Sequence, residues 1–188
     1  MININGKQFI SKLPSPRKNK PTPRELELRQ NFTIAIQFLK HVVPVLMKYN
    51  EPGKSGFNKA VSHLMRHAIQ GTHPDQRINF SQVILGEGIL HNPRTYHVES
   101  PARGIVEFSW TYEMIRRISK SDRIFVLVYS EATHQFQYEL SGAERRERQF
   151  LMDVSRFSGQ HIEIWFGFSS ATGALVSSSV YAGSINVL

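Results

Sequence analysis

The chain has 188 residues, a net charge of +8 and no cysteine. Its length suits one ordinary domain or two small ones with a sizeable core, and its 40% hydrophobic and 20% charged residues exclude wholesale disorder. The lack of cysteine excludes disulfides, thiolate metal sites and cysteine nucleophiles. Without a secretory signal or a long apolar run, we expect no Sec export and no membrane insertion. The location stays open between the cytoplasm, by default, and an assembled particle.

Residues 1–22 are predicted to form an extended basic arm. Six positive charges and no acid lie in residues 1–24. Prolines at positions 14, 16, 21 and 23 keep residues 13–22 out of the helical region. Two interpretations stay open: the arm neutralises the phosphates of a nucleic acid, or it is a pre-extended strap that docks on a neighbouring subunit. The candidate binding residues here are the apolar anchors Phe9 and Leu13 and the cations Arg17, Lys18, Lys20 and Arg24.

Residues 23–71 are predicted to form a helical hairpin. The sequence TPRE places Thr22 at the N-cap, proline at the first helical position and Glu25 at the third, which is a capping box. Apolar residues then recur at spacings of three and four, as on the buried face of a helix. Pro44 is expected to kink or split this helix, because proline removes a backbone hydrogen bond and clashes with the preceding turn.

A second helix is predicted over residues 56–70, with Gly71 as the left-handed residue at its C-terminal end. His63 and His67 stand four residues apart on it, as a bidentate zinc pair requires. A zinc site needs a third ligand, and the nearest candidate, His73, lies beyond the helix end. We therefore expect no metal site and place both histidines on the flank of the helix.

From residue 78 the apolar residues alternate with a period of two, which predicts strands. Seven short strands at roughly ten-residue spacing indicate an antiparallel β-sandwich over residues 78–188. The strand DRIFVLVYS is nearly continuous in its apolar residues and is therefore predicted to be central. The other predicted strands are INFSQVIL, GIVEFSW, HQFQYELS, RQFLMDV, HIEIWFGF and SSSVYAGSINV. The expected core includes Trp110, Phe125, Leu127, Phe136, Ile164 and Phe166.

No catalytic motif accompanies these strands. GFSSATG is not the G-x-S-x-G of a nucleophile elbow, and GEG lacks the rest of a phosphate-binding loop. We therefore expect no enzyme activity, no catalytic residue and no cofactor. The cluster ERRERQ carries Arg145, Arg146 and Arg148, which either lie on a solvated turn or clamp a phosphate or carboxylate. The basic segment IRRISKSDR, residues 115–123, would enlarge this patch if the fold brings the two together.

These motifs carry two resemblances. The part from residue 78 resembles a fibronectin type III-like module, through VEFSW ending at Trp110, IEIWFGFSSATG, and ALVSSSVYAGSINV. From about Lys12 onward the chain resembles an uncharacterised family found in Bacteroidota, through KPTPRELELRQNF, GFNKAVSHLMRHAIQGTHPD, INFSQVILGEGIL, VEFSW and VSSSVYAGSINV. The second resemblance implies an extended lead-in, helices and a β-sandwich, and it implies no activity, cofactor or catalytic residue.

We expect a mainly β protein, an antiparallel fibronectin- or immunoglobulin-like sandwich preceded by a helical hairpin and an extended arm. Its expected function is non-enzymatic: a structural or binding module that acts through protein–protein contacts and self-associates through the arm. The alternative is a nucleic-acid-binding protein that uses the arm and the arginine-rich loops. Salt separates the two, because phosphate binding weakens steeply as salt rises whereas apolar docking does not.

Overall fold

The computed structural model describes residues 2–4, 7–9, 20–48, 56–112 and 118–188. The helices are α1 (Pro23–Leu39), α2 (Val43–Lys48) and α3 (Gly56–His63), and a π-helical turn at Leu64–Ala68 continues α3. The strands are β1 (Ile2–Ile4), β2 (Lys7–Phe9), β3 (Ile69–Gln70), β4 (Arg77–Ile78), β5 (Tyr96–Ala102), β6 (Ile105–Trp110), β7 (Arg123–Ser130), β8 (Gln135–Glu139), β9 (Gln149–Asp153), β10 (His161–Ser169) and β11 (Val180–Asn186). None of the described helices is long and apolar enough to cross a membrane.

Two antiparallel sheets dominate the chain. Strands β11, β10, β7 and β8 lie side by side in one sheet, and β5, β6 and β9 form the other. The two sheets face each other across a core to which β6 contributes Val106 and Phe108 and β10 contributes Ile164 and Phe166. The predicted fold class is therefore confirmed: the protein is mainly β and antiparallel, with its helices on the N-terminal side.

The four-stranded sheet is buried on both of its faces. Along β7, Ile124 and Val126 face the other sheet. Their neighbours Phe125 and Leu127 face a second core, which lies under the helices. A strand with two dry faces has little room for polar side chains, and this explains the nearly continuous apolar run of the sequence. The core residues predicted from the sequence are all buried: Trp110, Ile164 and Phe166 between the sheets, and Phe125, Leu127 and Phe136 under the helices.

The helices form a third layer, which packs on the outer face of the four-stranded sheet. α1 buries Ala35, Phe38 and Leu39 against it. The ring of Phe38 meets those of Tyr129 and Phe136 edge to face, with centroids 5.0 Å apart in both pairs. Such aromatic pairs contribute about 0.5–1.5 kcal/mol beyond their buried area. The helices and the four-stranded sheet therefore share the core that lies under the helices.

The chain between the helices and β5 is fastened to the segment that leads into β11. The backbone N–H of Leu85 donates to Ser179 Oγ at 2.9 Å, and that of Leu90 donates to the carbonyl of Val176 at 2.9 Å. Gly88 permits this approach, since a Cβ there would lie 2.1 Å from the Val176 carbonyl oxygen. Gly88 of the GEG sequence thus allows the two backbones to pass close to each other.

α1 begins as predicted, but the helix breaks earlier than expected. Thr22 is the N-cap: its hydroxyl accepts from the N–H of Glu25 at 3.3 Å, and the Glu25 carboxylate accepts from the N–H of Thr22 at 2.8 Å. The capping box is confirmed. The break lies at residues 40–42, and Pro44 stands in the first turn of α2, where its missing N–H leaves no intrahelical bond unmade. The predicted split of the helix is therefore present, and Pro44 lies in the first turn of the second piece instead of kinking a continuous helix.

The second helix is shorter than predicted. Its α-helical part ends at His63 and its π-helical turn at Ala68, after which the chain becomes extended and pairs as β3 with β4. Gly71 does adopt a left-handed φ of +93°, but in the turn between β3 and β4. The N–H of Asn79 donates to the carbonyl of Ala68 at 2.6 Å. Asn79, which follows β4, therefore supplies a hydrogen bond at the helix end that Gly71 was expected to cap.

The first predicted strand is wrong, and an unpredicted strand replaces it in the sandwich. Of INFSQVIL, only Ile78 lies in a strand; Phe80–Gln82 form a 3₁₀ turn, where Asn79 Oδ1 accepts from the N–H of Ser81 at 3.2 Å. The seventh strand of the sandwich is β5, although it contains Pro101. Proline is tolerated there because β5 is an edge strand, where a missing N–H need not cost a ladder hydrogen bond.

Replacing Thr22 by alanine is expected to lower the free energy of unfolding by about 1 kcal/mol, because the N-cap hydroxyl is lost. Urea denaturation followed by circular dichroism measures this. Thr33→Ala is the matched control, since Thr33 is exposed within α1, its hydroxyl donates to the carbonyl of Arg29, and alanine is the better helix former. An equal loss in both variants would contradict the capping role.

Candidate functional site

The predicted arm is described in part. β1 and β2 pair antiparallel, with Ile2 opposite Phe9, so its first residues contain a strand pair that the sequence analysis did not predict. Lys20 and Arg24 are exposed on either side of the N-cap of α1. Three candidate residues lie outside the described residues: Leu13, Arg17 and Lys18. The strap and the phosphate interpretations of the arm both stay predictions.

The first three turns of α1 present apolar side chains to solvent. No residue between positions 23 and 34 is fully buried. Leu28 is 50% exposed and Phe32 is 52% exposed. Residues four apart are neighbours on a helix surface, so these two side chains form one apolar strip, which we call the α1 stripe. This part of the helix meets the body through polar contacts, such as the bond from Gln76 Nε2 to Asn31 Oδ1 at 2.6 Å.

The two basic loops of the sandwich do meet. The backbone N–H of Arg145 donates to the carbonyl of Asp122 at 2.6 Å, and that of Arg146 donates to the carbonyl of Lys120 at 3.1 Å. Among the described residues, the exposed cations of this surface, which we call the basic patch, are Lys120, Arg146 and Arg148; Arg116 and Arg117 of the basic segment lie outside the described residues. Glu144 offsets part of their charge, because its carboxylate lies 2.7 Å from Arg146 Nε. The charge of the described part of the patch is therefore partly neutralised.

Arg145 is separate from the basic patch because its side chain is 1% exposed. Its guanidinium lies 3.8 Å from the ring centroid of Phe168, its Nε is 3.4 Å from Asp122 Oδ2, and its Nη2 donates to the carbonyl of His91 at 3.0 Å. The indole N–H of Trp110 donates to the Arg145 carbonyl at 2.9 Å. Burial lowers the pKa of Arg145, and the Asp122 carboxylate opposes that shift. Contacts inside the fold already engage the Arg145 guanidinium. Of the three predicted arginines, only Arg146 and Arg148 are therefore exposed to an external ligand.

A cleft of about 600 Å³ opens between α3 with its π-helical turn and residues 84–87. We call it the α3 cleft; its lining residues are Leu46, Asn58, Lys59, Ala60, Ser62, His63, Arg66, His67, Ile84, Gly86 and Glu87. Among the described residues, no group of three or more His, Cys, Asp or Glu is placed to hold a metal ion. The sequence analysis found the two histidines but missed Lys59 and Arg66. His63, Arg66 and His67 stand four, seven and eight residues after Lys59, and residues at these spacings lie on one flank of a helix. This spacing was the signal that the sequence offered.

A second cleft, of about 450 Å³, lies between the C-terminal end of α1 and β7. Phe38 and Phe80 contribute apolar lining, and Tyr129 contributes a hydroxyl that lies 3.0 Å from Nδ1 of His134. Burial, reinforced by the charge of Glu131, raises the pKa of Tyr129 to about 12. Tyr129 therefore stays protonated at neutral pH and acts there as a hydrogen-bonding group, not as a base.

Asp122→Ala is expected to lower the free energy of unfolding by about 3–5 kcal/mol, because it leaves the buried Arg145 without its carboxylate. Arg146→Ala is the matched comparison: it removes an exposed ion pair with Glu144 and should cost less than about 1 kcal/mol. Chemical denaturation of both variants checks the difference. Similar losses in the two would show that Arg145 is not the structural anchor inferred from its burial.

Comparisons with known proteins add a family and no function. A family model described as a family of unknown function (DUF6266) matches residues 3–183. The matched range takes in the helical layer and both sheets, so the family is defined by more than its sandwich. The comparison with curated proteins found no match. Any function for this chain therefore has to be argued from its surfaces.

Proposed function

The chain belongs to the DUF6266 family, whose function is unknown, and we propose that it is a non-enzymatic protein-binding module that self-associates through its N-terminal arm and the α1 stripe. The observation that carries this proposal is the exposure of Leu28 and Phe32 side by side on a helix that buries Ala35, Phe38 and Leu39 nearer its C-terminal end. An exposed apolar strip on a helix that follows a proline-rich segment in the sequence suits docking of a neighbouring copy.

The arrangement of the sandwich supports a role in binding. One sheet has three strands in the order β5, β6, β9, and the facing sheet has four in the order β11, β10, β7, β8. From this strand order we propose that the domain is a fibronectin type III-like module. Modules of this kind carry their functions in surfaces and loops, and their shared fold does not specify a chemistry.

The α1 stripe is too small to hold two copies together alone. Full burial of one large apolar side chain contributes about 1.5–3 kcal/mol, and these side chains are already half-buried. Two stripes, with four side chains, therefore add about 3–6 kcal/mol on contact. Association costs about 4–15 kcal/mol in lost freedom. A stable pair needs further contacts, and the proposal assigns these to the arm.

The arm has the reach and the side chains for this task. Leu13 and Thr22 are nine positions apart in the chain, which gives a maximal span of about 30 Å. Phe32 lies only about 15 Å from Thr22 along the helix. An arm that passes beyond its own helix can therefore set Phe9 and Leu13 on a neighbour, while the five cations of the arm stay in water or meet acidic groups. Its prolines lower the conformational entropy lost on docking.

Oligomeric mass tests the proposal. Sedimentation equilibrium should give a mass above that of the monomer for the full chain. Deletion of residues 1–19, which leaves the Thr22 cap in place, should lower that mass, and so should Leu28→Ser with Phe32→Ser. Leu151→Ser is the matched control, because Leu151 is 55% exposed on β9, away from α1. A monomeric full chain, or a mass unchanged in both test variants, would refute the proposal.

The second candidate function is nucleic-acid binding, which the meeting of the two basic loops favours. Lys120 and Arg146 are exposed on adjoining loops, and the basic arm would add to their charge. Each phosphate neutralised makes the affinity fall with salt. Fluorescence anisotropy with single-stranded DNA and RNA at low and physiological salt separates the candidates. Tight low-salt binding that falls steeply with salt and weakens in Lys120→Ala with Arg146→Ala would favour this second function.

A further inference from the structure

We infer that the α3 cleft is a binding site for a small ligand that carries a phosphate monoester next to an apolar group. The cleft lies outside the surfaces of the proposed function. Its volume of about 600 Å³ is in the range that small-molecule sites occupy. Its lining joins a cationic helix flank to an apolar wall, and each half points to one part of such a ligand.

The helix flank supplies the charge. Lys59 and Arg66 are permanently positive, and His63 and His67 each add a positive charge when protonated. Like charges gathered along one helix flank repel each other, so the cleft favours a counter-anion. The guanidinium of arginine donates two parallel hydrogen bonds, and this geometry matches phosphate oxygens. A dianionic phosphate is therefore a better fit than a neutral ligand.

The π-helical turn places these groups together. It takes more residues per turn than an α-helix, so positions 63 and 67 fall in nearly the same direction. The two imidazole centroids are 4.9 Å apart. His63 Nε2 lies 3.0 Å from the backbone carbonyl of Gln82; since a carbonyl only accepts, Nε2 is the protonated nitrogen and the ring is fixed in place. π-Helical turns are rare in proteins and occur often at functional sites.

The opposite wall supplies the apolar contact and one carboxylate. Ile84, which is exposed, gives this wall its apolar side chain, while Leu46 of α2 and Ala60 of α3 add apolar lining on the helical side. Glu87 is the one acid among the described lining residues, and it pairs with Lys59 Nζ at 2.5 Å. Glu87 thus offsets the charge of Lys59 and, among the described lining residues, leaves Arg66 as the permanent charge without a paired carboxylate. A ligand phosphate would meet Arg66 and the imidazoles, with its apolar group toward Ile84.

Phenyl phosphate, inorganic phosphate and phenol are the probes, titrated into the full chain and followed by amide chemical shifts in NMR. We expect phenyl phosphate to shift the amides of residues 58–67 and 84–87, inorganic phosphate to bind there more weakly, and phenol not to bind. Shifts confined to the N-terminal arm, or equal binding of phenol and phenyl phosphate, would overturn the inference. The first result would mean a diffuse basic surface, and the second an apolar groove without phosphate recognition.

Three variants sharpen the test. Arg66→Gln should weaken phenyl phosphate binding about tenfold or more, the loss typical of a charge-assisted hydrogen bond. Arg103→Gln removes the same charge from an exposed turn of the sandwich and should leave the affinity unchanged. Glu87→Gln should tighten binding, because it removes the carboxylate of the lining. Equal affinity for the Arg66 and Arg103 variants, or weaker binding in Glu87→Gln, would overturn the inference even if the probe binds the chain elsewhere.

Discussion

The structure depends on one constraint: the four-stranded sheet must be dry on both faces. In β7, Val126 faces the second sheet and Phe125 faces the helices, and β10 repeats the pattern with Ile164 and Trp165. Polar side chains are buried in this sheet with a hydrogen-bond partner, as Ser130 is with Gln160 and Glu163 with the Tyr181 hydroxyl. The helical layer is therefore a required cover and not an appendage, because without it the aromatic face around Trp165 would be open to water.

The parts of the fold that follow from local chemistry were predictable from the sequence. The capping box at Thr22 needs only four consecutive residues, and the apolar run of β7 directly reflects its two covered faces. β5 was missed because Pro101 resembles loop punctuation, and only its edge position in the assembled sheet makes that proline harmless. INFSQVIL was misassigned because Val83 and Leu85 bury their side chains in the helical core without any strand partner.

The candidate sites, like the fold, depend partly on neighbouring residues and partly on residues that are distant in the chain. Arg145 and Arg146 are adjacent and chemically identical, yet one is buried over Phe168 and the other is exposed. The difference arises from residues far away in the chain, which sequence spacing does not reveal. The α3 cleft was half visible in advance, since His63 and His67 stood out, but its second wall comes from Ile84 and Glu87, beyond the helix and the turn that follows it.

The contact between Leu85 and Ser179 has a consequence for how the protein is made. These residues are 94 positions apart, and their hydrogen bond joins the end of the helical region to the lead-in of the last strand. A ribosome releases the N-terminal helices first, before β10 and β11 exist to receive them. During synthesis the apolar faces of the helices stay partly uncovered until β10, which begins at His161, has been made. The nascent chain is thus most exposed to misassembly and to chaperones just before β10 and β11 emerge.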